Sequence, residues 1–392
     1  MTAPEPRPPI YLDGHATTPL DPRVREAMWP WLLVPANASS TSHHYGWRAA
    51  EAVGLARQQV ADLLNCEPRE LIFTSGATEA NNLTLKGVLQ SPRARRWGLV
   101  TSQAEHRAVL DPARRLARRG TEVVFVPVNT HGAIEPGRLC DSLTPQTRLV
   151  SLILANNEVG TINPVAEVGA LCRDRGLWLH CDASQAVGKI PLDLARLPID
   201  LLSLSGHKLH GPQGIGALFL RRTDPPIPLE PLFDGGGQEQ RLRPGTLPVA
   251  LIAGLGAACE LARTELADES LRIASLRDQL WSGLSERLSG LHRNGDPQNS
   301  LPGNLSVSVE GVAGPVLLAR MTEIAVSSGA ACSSAEPEPS HVLRAMGVSE
   351  SLALATLRFG LGRFTTAGEI DTAIQSVTRL VNELRAHPPQ GG

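Results

Sequence analysis

A lysine that does covalent chemistry needs a depressed pKa, and so a buried, crowded setting. The sequence has three lysines, Lys86, Lys189 and Lys208, against 34 arginines. Lys208 stands out among them. It follows the apolar run Leu201–Leu204 and sits in Ser205-Gly206-His207-Lys208, ahead of the glycine-rich stretch Gly211-Pro212-Gln213-Gly214. A surface loop lysine is the alternative, but a dense polar turn after a β-like run favours an amine that forms Schiff bases with carbonyls. A second signal is Leu71–Thr74 running into Ser75-Gly76-Ala77-Thr78-Glu79. A strand, a glycine turn and a helix start offer free N–H groups to a phosphate. The same residues also suit a plain helix cap, with Ser75 or Thr78 as the capping group. Asp182 ends another apolar run and could pair with a cationic ring nitrogen, or act as a turn residue. Cys332 stands among small residues in Ser327-Ser328-Gly329-Ala330-Ala331-Cys332-Ser333-Ser334, which suits an accessible thiol nucleophile or an inert loop cysteine. Arg358 lies inside an apolar segment and needs an anionic partner, either a bound carboxylate or phosphate or a structural acid.

Elements must bring these residues together. Between residues 70 and 222, β-branched runs alternate with helix-like stretches such as Ala77–Leu89, Ala108–Arg119 and Val165–Arg175. That alternation predicts an α/β domain with a mostly parallel sheet, whose ligands bind at the carboxyl ends of the strands. After Pro248 the pattern changes. One helix is expected over Val249–Leu261 and a second over Ile273, Leu276, Leu280, Leu284 and Leu288, followed by a strand through Leu305, Val307 and Val309. The expected division is a large α/β domain over 20–256 and a smaller α+β domain formed by 1–19 and 257–392.

Composition narrows the function classes. The chain has 392 residues, 42% hydrophobic and 19% charged, with a net charge of −2. Bulk charge therefore gives no basis for nucleic-acid binding. No apolar run approaches the length of a membrane span or a signal peptide, so a cytoplasmic, membrane-free protein is expected. The six cysteines form no C-x-x-C pair, so neither a zinc ribbon nor a disulfide framework is expected, and no metal site.

The motifs in their order carry a resemblance. They are YLDGHATTPLDPRV, SGATEANN, AEHRAVLD, ANNEVGTINP, HCDASQAVGK, SLSGHKLHGPQGIGAL, RPGTLP, SSGAACSS and LRFGLGRFT. With these the chain resembles the NifS/IscS-like cysteine desulfurases, class V aminotransferase relatives of pyridoxal-phosphate fold type I. The resemblance implies pyridoxal 5′-phosphate as cofactor and Lys208 as its Schiff-base lysine. Asp182 would pair with the pyridine nitrogen, His106 would stack on the ring and shuttle protons, and Gln185 would hydrogen-bond the ring oxygen. Ala77, Thr78, Ser205 and His207 would hold the phosphate. Thr246 would reach the phosphate of a neighbouring subunit, which implies a homodimer. Asn157 and Arg358 would hold the substrate L-cysteine, and Cys332 would take its sulfur as a persulfide while L-alanine leaves. An iron–sulfur scaffold or another sulfur-acceptor protein is the implied partner. Two rival readings are a cysteine or cystine C–S lyase on the same fold, which would release pyruvate and ammonia, and a non-catalytic sulfur carrier or scaffold component. The chain departs from the family's usual pattern at Gly14-His15, where Tyr-Ser is common, at Ala36–His43, and at Gln238–Arg243.

Overall fold

A computed structural model describes residues 8–94, 96–328 and 338–387. Its centre is a seven-stranded sheet. In chain order the strands are β1 (Leu71–Thr74), β2 (Gly98–Ser102), β3 (Val123–Val126), β4 (Thr147–Ile153), β5 (Trp178–Asp182), β6 (Leu201–Ser205) and β7 (Gly216–Leu220), arranged 1-7-6-5-4-2-3. Only β7 runs against its neighbours, β1 and β6. The remaining pairs are parallel.

A mostly parallel sheet must be covered on both faces, and the strand sequences supply apolar residues to both. Leu71, Phe73, Val150, Leu202, Ala217 and Phe219 point into one core. Their strand neighbours Ile72, Leu149, Leu201 and Leu218 point into the other. The helices α1 (Pro22–Leu33) and α2 (His44–Leu64) cover the first face, while α3 (Ala77–Leu89) and α4 (Arg107–Arg118) cover the second.

A third core gathers around a three-stranded antiparallel sheet of β8 (Leu291–Asn294), β9 (Asn304–Val309) and β10 (Thr356–Gly360). The expected pair of helices after Pro248 is corrected here. Residues Val249–Ser285 form one continuous 37-residue helix, α6, preceded in the chain by α5 (Val165–Asp174). Nothing in ARTELADESLR, residues 262–272, breaks a helix, because it holds neither glycine nor proline. The first half of α6 gives Ile252, Leu255 and Cys259 to the large core. Its second half gives Ile273, Leu276 and Leu280 to the core of the small sheet, beside Leu12, Phe359 and Val377. No helix among the described residues is long and apolar enough to cross a membrane.

Candidate active site

The carboxyl ends of the parallel strands open into a chamber of about 500 Å³. Each predicted strand end delivers its residue there. The chamber is lined by Ala77, Thr78, His106, Asn157, Asp182, Gln185, Ser205, His207 and Lys208.

The turn after β1 starts α3 without a side-chain cap, which leaves an open cradle of N–H groups at the helix start. Gly76 occupies the N-cap of α3, and no side chain caps that helix. Ser75 instead donates its N–H to Glu79 Oε2 at 2.8 Å, while Arg243 holds the same carboxylate at 3.0 Å. Gly76 has φ +148°, a conformation that favours glycine, and a Cβ there would stand 3.4 Å from Ser205 Oγ, inside the cradle. Gly216 lets β7 pass close by, since a Cβ on it would lie 2.7 Å from Gly76 Cα.

Asp182 is 2% exposed. Its Oδ2 accepts from Asn81 Nδ2 at 2.7 Å, and its Oδ1 accepts from the Ser184 N–H at 3.0 Å and from the Ser184 hydroxyl. Asp182 thus closes a turn through Oδ1, and its carboxylate lines the chamber. Asn81 was not anticipated. Its position four residues after Ala77 puts it on the chamber face of α3, a spacing that helical periodicity contains. Its Oδ1 is buried without a partner among the described residues.

His106 caps α4, and its Nδ1 accepts the Ala108 N–H at 3.1 Å. The ring proton of the neutral imidazole therefore lies on Nε2. The ring stands open to the chamber. Desolvation by the surrounding protein still holds its pKa below the ordinary value, against the pull of Asp182.

Lys208 Nζ donates to the carbonyls of His15 at 2.5 Å and Ala16 at 2.8 Å. Burial first, and then the charge of Arg358, lower its pKa to about 8, while Asp182 and Asp13 oppose the shift. The N-terminal segment is tied over this turn. Thr18 bonds the His207 carbonyl through its N–H at 2.9 Å and its hydroxyl at 3.0 Å, and the Thr17 hydroxyl meets His207 Nδ1 at 3.1 Å. Burial and the nearby Lys208 and Lys189 push His207 down to about 4, so it is neutral at physiological pH.

Arg358 stands behind the chamber wall, 8% exposed. Its Nη2 pairs with Asp13 Oδ1 at 2.9 Å, and its Nη1 donates to the Asn157 carbonyl at 3.1 Å. Its Nε is buried with no partner among the described residues. The structural acid expected as one alternative is thus Asp13, a residue that local pattern could not single out. Thr246 is exposed and does not line the chamber of its own chain. Cys332 lies outside the described residues. No metal-binding cluster of His, Cys, Asp and Glu occurs among the described residues.

The donor set fits pyridoxal 5′-phosphate. An uncapped helix start with hydroxyls beside it suits a phosphate, a buried carboxylate suits a ring N–H, and an amine of lowered pKa suits an aldehyde.

Comparisons with known proteins agree with this geometry. The family model for aminotransferase class-V matches residues 10–372. A cysteine desulfurase of Rattus norvegicus is 48% identical over 382 residues, covering 97% of this chain and 84% of that protein. The cysteine desulfurase IscS of Shewanella oneidensis is 47% identical over 384 residues, covering 97% and 95%. A solved structure of a NifS-like protein superposes with a TM-score of 0.89 at 36% identity, covering 96% of this chain and all of that one. A chain with this chamber, matched along nearly its whole length by such relatives, belongs to the class-V aminotransferase family and within it to the NifS/IscS-like cysteine desulfurases.

Proposed function

We propose that the chain removes sulfur from L-cysteine with pyridoxal 5′-phosphate, releases L-alanine and holds the sulfur as a persulfide on Cys332. The observation that carries this reading is the convergence of Lys208, Asp182 and His106 on one chamber beside the uncapped start of α3. Ala77, Thr78, Ser205 and His207 would hold the phosphate, Asp182 the ring nitrogen, and Gln185 the ring oxygen. Bound there, the cofactor supplies an electron sink for bond breaking at the substrate's α-carbon.

The chain's own groups do the rest. Asn157 orients the substrate from the chamber wall, and Arg358, which bonds Asp13 and the Asn157 carbonyl from behind that wall, would have to turn its guanidinium from Asp13 toward the chamber to hold the substrate carboxylate. Lys208 Nζ, with its pKa lowered to about 8, is neutral often enough near pH 7–8 to take the α-proton. His106, neutral and protonated on Nε2, is placed to pass a proton within the chamber. In this reading Cys332 forms the S–S bond to the substrate sulfur as the C–S bond breaks.

The reading extends to a homodimer. Trp29, Leu32 and Leu33 on α1 and Tyr45 and Trp47 on α2 are exposed, an apolar face of the kind that marks an interface. Thr246 is then free to reach a neighbour's phosphate. A reducing, cytoplasmic setting and a sulfur-acceptor protein such as an iron–sulfur scaffold complete the proposal, and all five described cysteines are free thiols.

The test is the three-carbon product formed from L-cysteine with a reductant. Alanine, lost in Lys208→Ala and Cys332→Ser, is expected. Pyruvate with ammonia would instead identify a C–S lyase.

A further inference from the structure

Arg358 approaches the chamber from behind its wall, and its bonds show what must give before it can hold a substrate carboxylate. Asp13 is its one ion-pair partner among the described residues, with Nη2 2.9 Å from Oδ1. Nη1 donates at 3.1 Å to the carbonyl of Asn157, a residue that lines the chamber. Nε is buried with no partner among the described residues, so a turn of the guanidinium breaks no bond there. The backbones are held in place. Arg358 lies in β10 and exchanges backbone bonds with Ser327, at 2.7 and 3.4 Å. Gly360, on the same strand, accepts from the Gly14 N–H at 2.9 Å and donates to the Leu12 carbonyl at 2.7 Å, which fixes Asp13 between them. An exchange of partners is therefore confined to side chains. Asp13 can lose its cation without being left bare. The same Oδ1 accepts the Ser327 hydroxyl at 3.0 Å, and the side chain is 19% exposed, so water can fill the vacated place.

We propose that Asp13 is a positioning residue that competes with the substrate: it holds Arg358 behind the chamber wall until an α-carboxylate in the chamber displaces it, and so sets the affinity for carboxylate-bearing amines. Two carboxylates contend for one guanidinium. The exchange breaks a charge-assisted bond within the protein and makes one of the same kind to the ligand. An amine without a carboxylate offers nothing in return and leaves the Arg358–Asp13 pair closed. The inference rests on the substrate role given to Arg358 above.

The test titrates purified holoenzyme with L-alanine, the product of the proposed reaction, and with ethylamine, the same molecule without its carboxylate. Binding is read from the visible absorbance of the bound cofactor. Asp13→Asn keeps an acceptor for Arg358 and removes the charge. It should tighten L-alanine about tenfold, the difference between a hydrogen bond to a charged group and one to a neutral amide. Ethylamine should stay within about twofold of the parent chain. Loss of a negative charge also favours any anion from a distance, so the same change is made in Arg358→Met. There Asp13→Asn should alter L-alanine affinity by less than about twofold. Ser327→Ala tests the opposite sign and serves if Asp13→Asn fails to fold. Without that hydroxyl only water attends Oδ1 once Arg358 leaves, so L-alanine should bind about threefold more weakly and ethylamine as before. A gain for both ligands in Asp13→Asn, a gain that persists without Arg358, or no gain at all would overturn the proposal, as would unchanged or tighter L-alanine in Ser327→Ala. Parent holoenzyme that binds neither ligand, or binds both alike, would instead defeat the substrate role of Arg358 and this inference with it.

Discussion

The acidity of Lys208 can be measured without cofactor or substrate. An ordinary lysine titrates at 10.5, and burial and Arg358 bring Lys208 down to about 8. At pH 7 the neutral fraction then rises from about 0.03% to about 10%, roughly 300-fold. Only the neutral amine reacts with an acylating reagent. The apoprotein should be labelled with trace acetic anhydride across the range from about pH 6 to 11 beside a reference amine of known pKa. With only three lysines in the chain, peptide mass spectrometry reads Lys208 separately from Lys86 and Lys189. Its rate should climb tenfold per pH unit below about 8 and level off above it. Charge substitutions fix the sign of the cause. Arg358 disfavours the ammonium, so Arg358→Met should move the midpoint upward. Asp182 and Asp13 favour it, so Asp182→Asn or Asp13→Asn should move it downward. A rate still climbing tenfold per unit near pH 10, or a downward shift in Arg358→Met, would refute the electrostatic account.

Other consequences are open to direct measurement. Gly76→Ala places a methyl in the cradle at a φ that costs a side chain strain, and should weaken pyridoxal 5′-phosphate binding to the apoprotein about tenfold; unchanged affinity would mean that the phosphate sits elsewhere. Glu239 bonds Arg57 at 2.5 Å and the Phe73 N–H at 2.6 Å, pinning β1 just before the cradle. Glu239→Ala leaves the Phe73 N–H unpaired and Arg57 with only the Leu71 carbonyl, and should cost about 3 kcal/mol, a fall in Tm of about 4 °C for a chain this long, seen by calorimetry. Trp29→Asp with Leu33→Asp should convert a dimer to a monomer in light scattering, since both side chains stand in water on α1; an unchanged mass would place the interface on another face.

Local sequence was sufficient for much of the site. Apolar runs followed by Gly76, Asp182 or Lys208 are strand ends, and in a parallel sheet strand ends share one edge. Their convergence was therefore legible before any contact was known. Residues that act through contacts distant in sequence were not legible. Asp13 meets Arg358 across 345 positions, and His15 meets Gln185 across 170. The absence of a side-chain cap on α3 was equally hidden, because Ser75 has the chemistry of a cap and its backbone N–H is claimed by Glu79 instead.

The sequence by itself determined the order of strands between residues 70 and 222, the scarcity of lysine and the placement of reactive groups at strand ends, because period, propensity and turn chemistry are written within a few residues. Only the tertiary structure decided the continuity of α6 between two cores and the pairing that holds Arg358. Those depend on which atoms burial forces together, and desolvated polar groups must find partners wherever the chain brings them.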